Sequence, residues 1–134
     1  SAVPEEKISR AFGRKDCDLE LNRIHETEGA KIAENILNQV SFPKSLIAEI
    51  CRIIECHDSG VNPITLEEKI VKDADKLFRF DTRGFGFATR FHCYGMHPQD
   101  YLKFLFDSKE VWLFTDYAKS IATEGYEKIK RAYF

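Results

Sequence analysis

The sequence predicts an all-α fold. Apolar residues recur at helical spacing, no segment shows the strict alternation of a half-buried strand, and Pro, Gly and Asn fall between the periodic stretches. There is no internal repeat and no low-complexity segment. Length sets the domain count: 134 residues that are 43% hydrophobic can bury one core, and a second domain is not expected.

Residues 1–19 mix charges without periodicity and read as a polar lead-in, with a short helix around Glu5–Phe12. Residues 20–134 then form the single helical domain. A first long helix spans about Leu19 to Val40, with Leu21, Ile32, Ala33, Ile36, Leu37 and Val40 on its apolar stripe and His25 and Gly29 between them. Ser41-Phe42-Pro43 breaks it, and Pro43 suits the first turn of the next helix. That second helix carries Leu46, Ile47, Ile50, Ile53 and Ile54, with His57 near the centre of the stripe and Asp58 on its shoulder.

The loop Asp58-Ser59-Gly60-Val61-Asn62-Pro63 is turn-rich. Thr65 with Glu68 three residues on forms a capping box, which opens a third helix with inward Leu66, Ile70, Val71, Ala74, Leu77 and Phe78. Gly84, Gly86 and Gly95 punctuate an aromatic stretch read as short helix and loop. Helices over Pro98–Phe106 and Thr115–Tyr133 follow; Ala118, Ile121, Ala122, Gly125, Ile129 and Ala132 hold the last on a period of 3.6.

Bulk properties exclude several function classes. A formal charge of −2 gives no electrostatic case for a nucleic-acid duplex or an anionic membrane surface. No apolar run is long enough to span a bilayer, and no signal-peptide pattern opens the chain. Cys17, Cys51, Cys56 and Cys93 show no CxxC pairing and read as free thiols of a cytoplasmic protein. Gly84-Phe85-Gly86 follows a helix and lacks the Lys-Ser/Thr of a phosphate loop. Neither an HExxH nor a Glu-x-x-His di-iron signature occurs.

His25 and His57 remain the informative positions. An imidazole where Leu or Ile would normally sit must be hydrogen-bonded or coordinating. A lone histidine of this kind is usually a satisfied core residue; two on consecutive helices, followed by Lys72-Asp73-Ala74-Asp75-Lys76-Leu77, suggest a metal. Helical placement does not choose between Asp73 and Asp75, which flank the third stripe on opposite sides. His92 and His97 are better suited to surface or capping roles.

Three pieces, in order, resemble the HD-domain metal-dependent phosphohydrolases: His-Glu-Thr-Glu-Gly-Ala-Lys-Ile-Ala-Glu-Asn-Ile-Leu from His25, Ile-Cys-Arg-Ile-Ile-Glu-Cys-His ending at His57, and Thr-Leu-Glu-Glu-Lys-Ile-Val-Lys-Asp-Ala-Asp-Lys-Leu through Asp75. The resemblance covers roughly residues 20–95 and implies a bundle of about five to six helices, incomplete at its N-terminus. Such proteins hold a divalent ion with a histidine, a His-Asp pair and a later aspartate, and many add two intermediate histidines. The Ala-Asp-basic-Leu setting implies Asp75 as the last aspartate. His25 and His57 match the intermediate histidines, with the earlier ligands lying before Ser1; a rival alignment makes His57-Asp58 the pair itself.

The resemblance implies metal ligands at His25, His57 and Asp75, with Asp58 depending on the alignment, and a catalytic group of Asp75, Asp58 and Lys76. Lys72 and Arg79 are further candidates for neutralising phosphate. The ion is Mn²⁺, Fe²⁺, Co²⁺, Zn²⁺ or Mg²⁺, and the partner is a small phosphate ester or nucleotide. Missing upstream ligands would leave little hydrolysis in this chain alone. The alternatives are a catalytically silent helical module for regulation or protein interaction, and a homodimer that completes the site between copies.

Overall fold

The computed structural model describes residues 7, 19–60 and 62–134. Apart from Lys7, the lead-in and its expected short helix lie outside the described residues, as do the side chains of His92 and Tyr94. All regular structure among the described residues is helical: α1 (Leu19–Gln39), α2 (Lys44–Cys56), α3 (Leu66–Leu77), a 3₁₀ turn (Phe78–Phe80), α4 (Thr82–Arg90), α5 (His92–Gly95), α6 (Pro98–Trp112) and α7 (Asp116–Tyr133). The all-α expectation holds. The chain divides into two compact units, Ser1–Pro63 and Ile64–Phe134.

In the first unit α1 and α2 form a helical hairpin. The turn between them follows from local chemistry. Ser41 adopts a left-handed φ of 55°, its N–H reaches Asn38 O at 3.1 Å and the N–H of Phe42 reaches Leu37 O at 2.9 Å. This is the paired capping of a Schellman motif, which satisfies carbonyls the helix end would leave orphaned. Pro43 is the N-cap of α2, one position before the expected first turn.

The buried face of α1 is Asn22, Glu26 and Ala30, spaced four residues apart, while α2 buries Ile47 and Ile53. Small residues allow the close approach: a Cβ on Gly29 would lie 3.5 Å from Ile54 Cγ2, and Cys51 Sγ reaches Ala30 O at 3.6 Å. The expected apolar stripe of α1 is corrected in part. Ile32, Ile36 and Val40 are more than half exposed, because the line that meets α2 runs through the small and polar positions.

In the second unit the expected capping box is present: Thr65 Oγ1 accepts the Glu68 N–H at 3.2 Å and Glu68 Oε2 accepts the Thr65 N–H at 2.8 Å. The face that α3 buries reverses most of the expectation, although Leu77 packs against the core as expected. Glu68, Lys72, Asp73 and Lys76 are buried, whereas Leu66, Ile70, Val71 and Phe78 are at least a third exposed. The polar side chains are tolerated because they find partners: Glu68 closes the cap, Asp73 holds the turn before α7, and Lys76 meets Asp75 at 3.0 Å.

The 3₁₀ turn lies against glycines of two helices; a Cβ on Gly84 would sit 1.7 Å from Phe78 O and one on Gly125 2.0 Å from Phe80 O. Phe80, Phe85, Tyr101, Leu105, Leu113, Ala122 and Ile129 fill the core around it. Within that core Cys93 is fully buried, and burial pushes its thiol up from the usual range. α6 is longer than expected, reaching Trp112 rather than Phe106, and His97 caps it.

Asp81 caps α4 by accepting the Arg83 N–H at 2.8 Å. That backbone bond, helped by the Arg83 side chain, holds its carboxyl below the usual range. A depressed folded-state pKa stabilises above the unfolded value and the contribution is lost as pH falls through the folded one. Asp81→Ala is therefore expected to cost about 1 kcal/mol at neutral pH. Urea midpoints of wild type and variant should converge as pH falls below about 4.

Candidate functional site

The first unit brings His25 and His57 together. Their ring centroids are 5.2 Å apart with the planes at 70°. The His57 Nδ1 lies 2.6 Å from Ile54 O. A carbonyl only accepts, so a neutral His57 carries its proton on Nδ1 and its lone pair on Nε2. A metal-ligating histidine is commonly oriented in this way, by donating its other ring N–H to a backbone carbonyl.

A polar network from α1 binds the end of α2 and the residues that follow His57. Glu26, fully buried, accepts the N–H of Asp58 at 2.9 Å and of Ser59 at 2.8 Å. It also takes the Ser59 hydroxyl at 2.5 Å, and the Arg23 guanidinium stands 3.4 Å away. Arg23 also donates to Glu55 O at 2.6 Å. Asn22 Nδ2 donates to the Asp58 carboxylate, while Asn22 Oδ1 is buried with no hydrogen-bond partner among the described residues. Gly60 follows tightly on α2, since a Cβ there would meet Cys56 O at 2.6 Å.

Asp75 and Lys76 belong to the second unit. Here the structure separates the two aspartates that helical spacing left equivalent. Asp73 is buried and accepts the N–H of Phe114 at 2.7 Å, the N–H of Thr115 at 3.0 Å and the Thr115 hydroxyl at 2.6 Å. Its oxygens are committed to the α6–α7 turn. Asp75 is 38% exposed beside the Lys76 ammonium, which is only 8% exposed. Arg79 stacks its guanidinium 5.8 Å from the Trp112 ring.

A family model, HD domain, matches residues 3–79. The chain belongs to the HD-domain family. The matched segment includes His25, His57, Asp58 and Asp75. No curated protein and no solved structure matches the chain. HD domains are a family of metal-dependent phosphohydrolases in general, so the donor chemistry can be tested against a divalent ion. Two adjacent imidazoles, one with its Nδ1–H engaged by a carbonyl, fit as two ligands. Among the described residues no group of three or more His, Cys, Asp or Glu side chains is arranged to hold a metal.

In this HD domain the residues that sequence reasoning missed are Glu26 and Asn22. The available signal was Gly29-Ala30: the small residues mark the side of α1 that approaches α2, and counting back four and eight positions reaches Glu26 and Asn22. A cleft in the second unit, lined by Leu77, Phe80, Thr82 and Ile121 among others, holds about 100 Å³, below the ~300 Å³ at which small-molecule pockets begin. No helix among the described residues is long and apolar enough to cross a membrane.

Proposed function

We propose that this HD domain is a metal-dependent phosphohydrolase acting on a phosphomonoester or phosphodiester of nucleotide-like size. His25 and His57 would supply two imidazole ligands, and Asp75, Asp58 and Lys76 are the further residues that the family resemblance assigns to the ion and to the substrate phosphate. The observation that carries the reading is the contact of His25 with His57, with the His57 proton directed to Ile54 O. Asp75 and the adjacent Lys76 side chain would supply a hard oxygen ligand and a cationic partner for a phosphate ester. A bound divalent ion supplies water acidified towards neutrality and a polarised phosphoryl oxygen.

The test is a titration with Mn²⁺ and Co²⁺ alongside turnover of p-nitrophenyl phosphate and a nucleotide panel. Wild type is expected to bind the ion and to gain about 2.7 kcal/mol of stability at a hundredfold excess over Kd. Metal-dependent turnover by this chain alone is expected to be small, and robust turnover abolished by His57→Ala would favour His57-Asp58 as the metal-binding pair. His25→Ala and His57→Ala should each weaken binding at least ~10-fold and remove that turnover. Asp58→Asn should leave the affinity within about threefold, because His25 and His57 are read as the intermediate histidines. A loss at Asp58 equal to that at His57 would make His57-Asp58 the metal-binding pair.

A catalytically silent module is the second reading. It is favoured by the lack of a three-ligand group among the described residues. A melting temperature unmoved by Mn²⁺, Fe²⁺ or Co²⁺, together with no turnover, would establish it.

A further inference from the structure

A carboxylate with no solvent exposure is costly unless fully hydrogen-bonded, and the hairpin does not need one for packing. One turn further along the same face, α1 uses Ala30. Glu26 nevertheless takes both backbone N–H groups and the hydroxyl of Asp58-Ser59. These bonds fall on the two residues that follow His57, and Glu26 itself follows His25. One side chain thus ties together the backbone behind both imidazoles.

The consequence is visible at Ile54 O. If α2 continued, the Asp58 N–H would point at that carbonyl. Glu26 draws the N–H away, and Ile54 O instead accepts the His57 Nδ1–H at 2.6 Å, beside a longer bond from the His57 backbone N–H at 3.4 Å. The helix stops at Cys56, its ring-bearing residue turns back over the last carbonyl, and Gly60 allows the chain to pass close to Cys56 O.

We infer that Glu26 is a positioning residue: by capturing the Asp58 and Ser59 N–H groups it frees Ile54 O to set the His57 tautomer and so aims the Nε2 lone pair of His57. This deepens the proposed function and rests on it only where a metal is the ligand; the tautomer can be read without one.

The experiment compares wild type, Glu26→Leu and Ser59→Ala by imidazole ¹⁵N NMR, at a pH well above the usual imidazole value of about 6.5, and by Co²⁺ titration. Wild type is expected to show His57 protonated on Nδ1 and a contact between the two rings. Glu26→Leu removes both acceptor oxygens and should shift the proton towards Nε2, weaken the ring contact and lower Co²⁺ affinity about 10- to 100-fold. Ser59→Ala, which keeps the carboxylate and the two backbone bonds, should retain the wild-type tautomer. If Glu26→Leu fails to fold, Glu26→Asp decides, because its carboxylate is withdrawn by one methylene from the two N–H groups. A wild-type tautomer and ring contact in the deciding variant would overturn the inference. Should wild type bind no Co²⁺, the proposed function fails, while a tautomer change in the variant still upholds the role of Glu26.

Discussion

Gly125→Ala and Gly84→Ala are each expected to destabilise residues 64–134 by about 3 kcal/mol or more, the upper range of overpacking effects. The added methyl would enter at 2.0 Å from Phe80 O in the first case and 1.7 Å from Phe78 O in the second. Both obstacles are backbone atoms of the 3₁₀ turn Phe78–Phe80, so no side-chain rotation relieves them. Helix propensity opposes the loss by only ~1 kcal/mol. Gly29→Ala is the control with opposite sign. There the methyl would meet Ile54 Cγ2 at an ordinary 3.5 Å, and the substitution should stabilise by about 0.5–1 kcal/mol. Urea midpoints of the three variants check both directions; an unchanged midpoint for Gly125→Ala would contradict the packing of α7 on the turn.

Asp73→Ala and Asp75→Asn should fail in different ways. Removing the Asp73 carboxylate strands the N–H groups of Phe114 and Thr115 and the Thr115 hydroxyl. A loss of about 3 kcal/mol or more is expected. Among the described residues Asp75 pairs with the neighbouring ammonium, and it is 38% exposed. Asp75→Asn should leave stability within about 0.5 kcal/mol while weakening Mn²⁺ or Co²⁺ binding ~10-fold or more. Urea unfolding and metal titration on the same preparations separate the effects. Metal binding that survives Asp75→Asn intact would remove Asp75 from the proposed ligand set.

Helix positions were legible residue by residue because their signals are local. The Thr65–Glu68 capping box and the starts of α1 and α6 match the structure closely. The contact between His25 and His57 was legible for the same reason: two helices joined by a short break must pair, and each histidine lay on an apolar stripe. The missed α1 and α3 faces share one cause. Periodicity gives the angle of a residue around its helix, and hydrophobicity then suggests which side is buried. In α3 the buried side is Glu68, Lys72, Asp73 and Lys76, and polar residues can occupy it only because donors and acceptors come from elsewhere.

Those partners are distant in sequence. Phe114 and Thr115 lie 41 and 42 residues after Asp73, and Asp58 and Ser59 lie 32 and 33 after Glu26. A pattern of apolar and polar residues carries no record of such pairings. The sequence by itself therefore determined a helical chain, most of its helix starts and its paired histidines. Only the tertiary structure decided which aspartate is structural, which is open, and which buried carboxylate orients His57, because a hydrogen bond across folded distance is what makes a charged side chain an interior one.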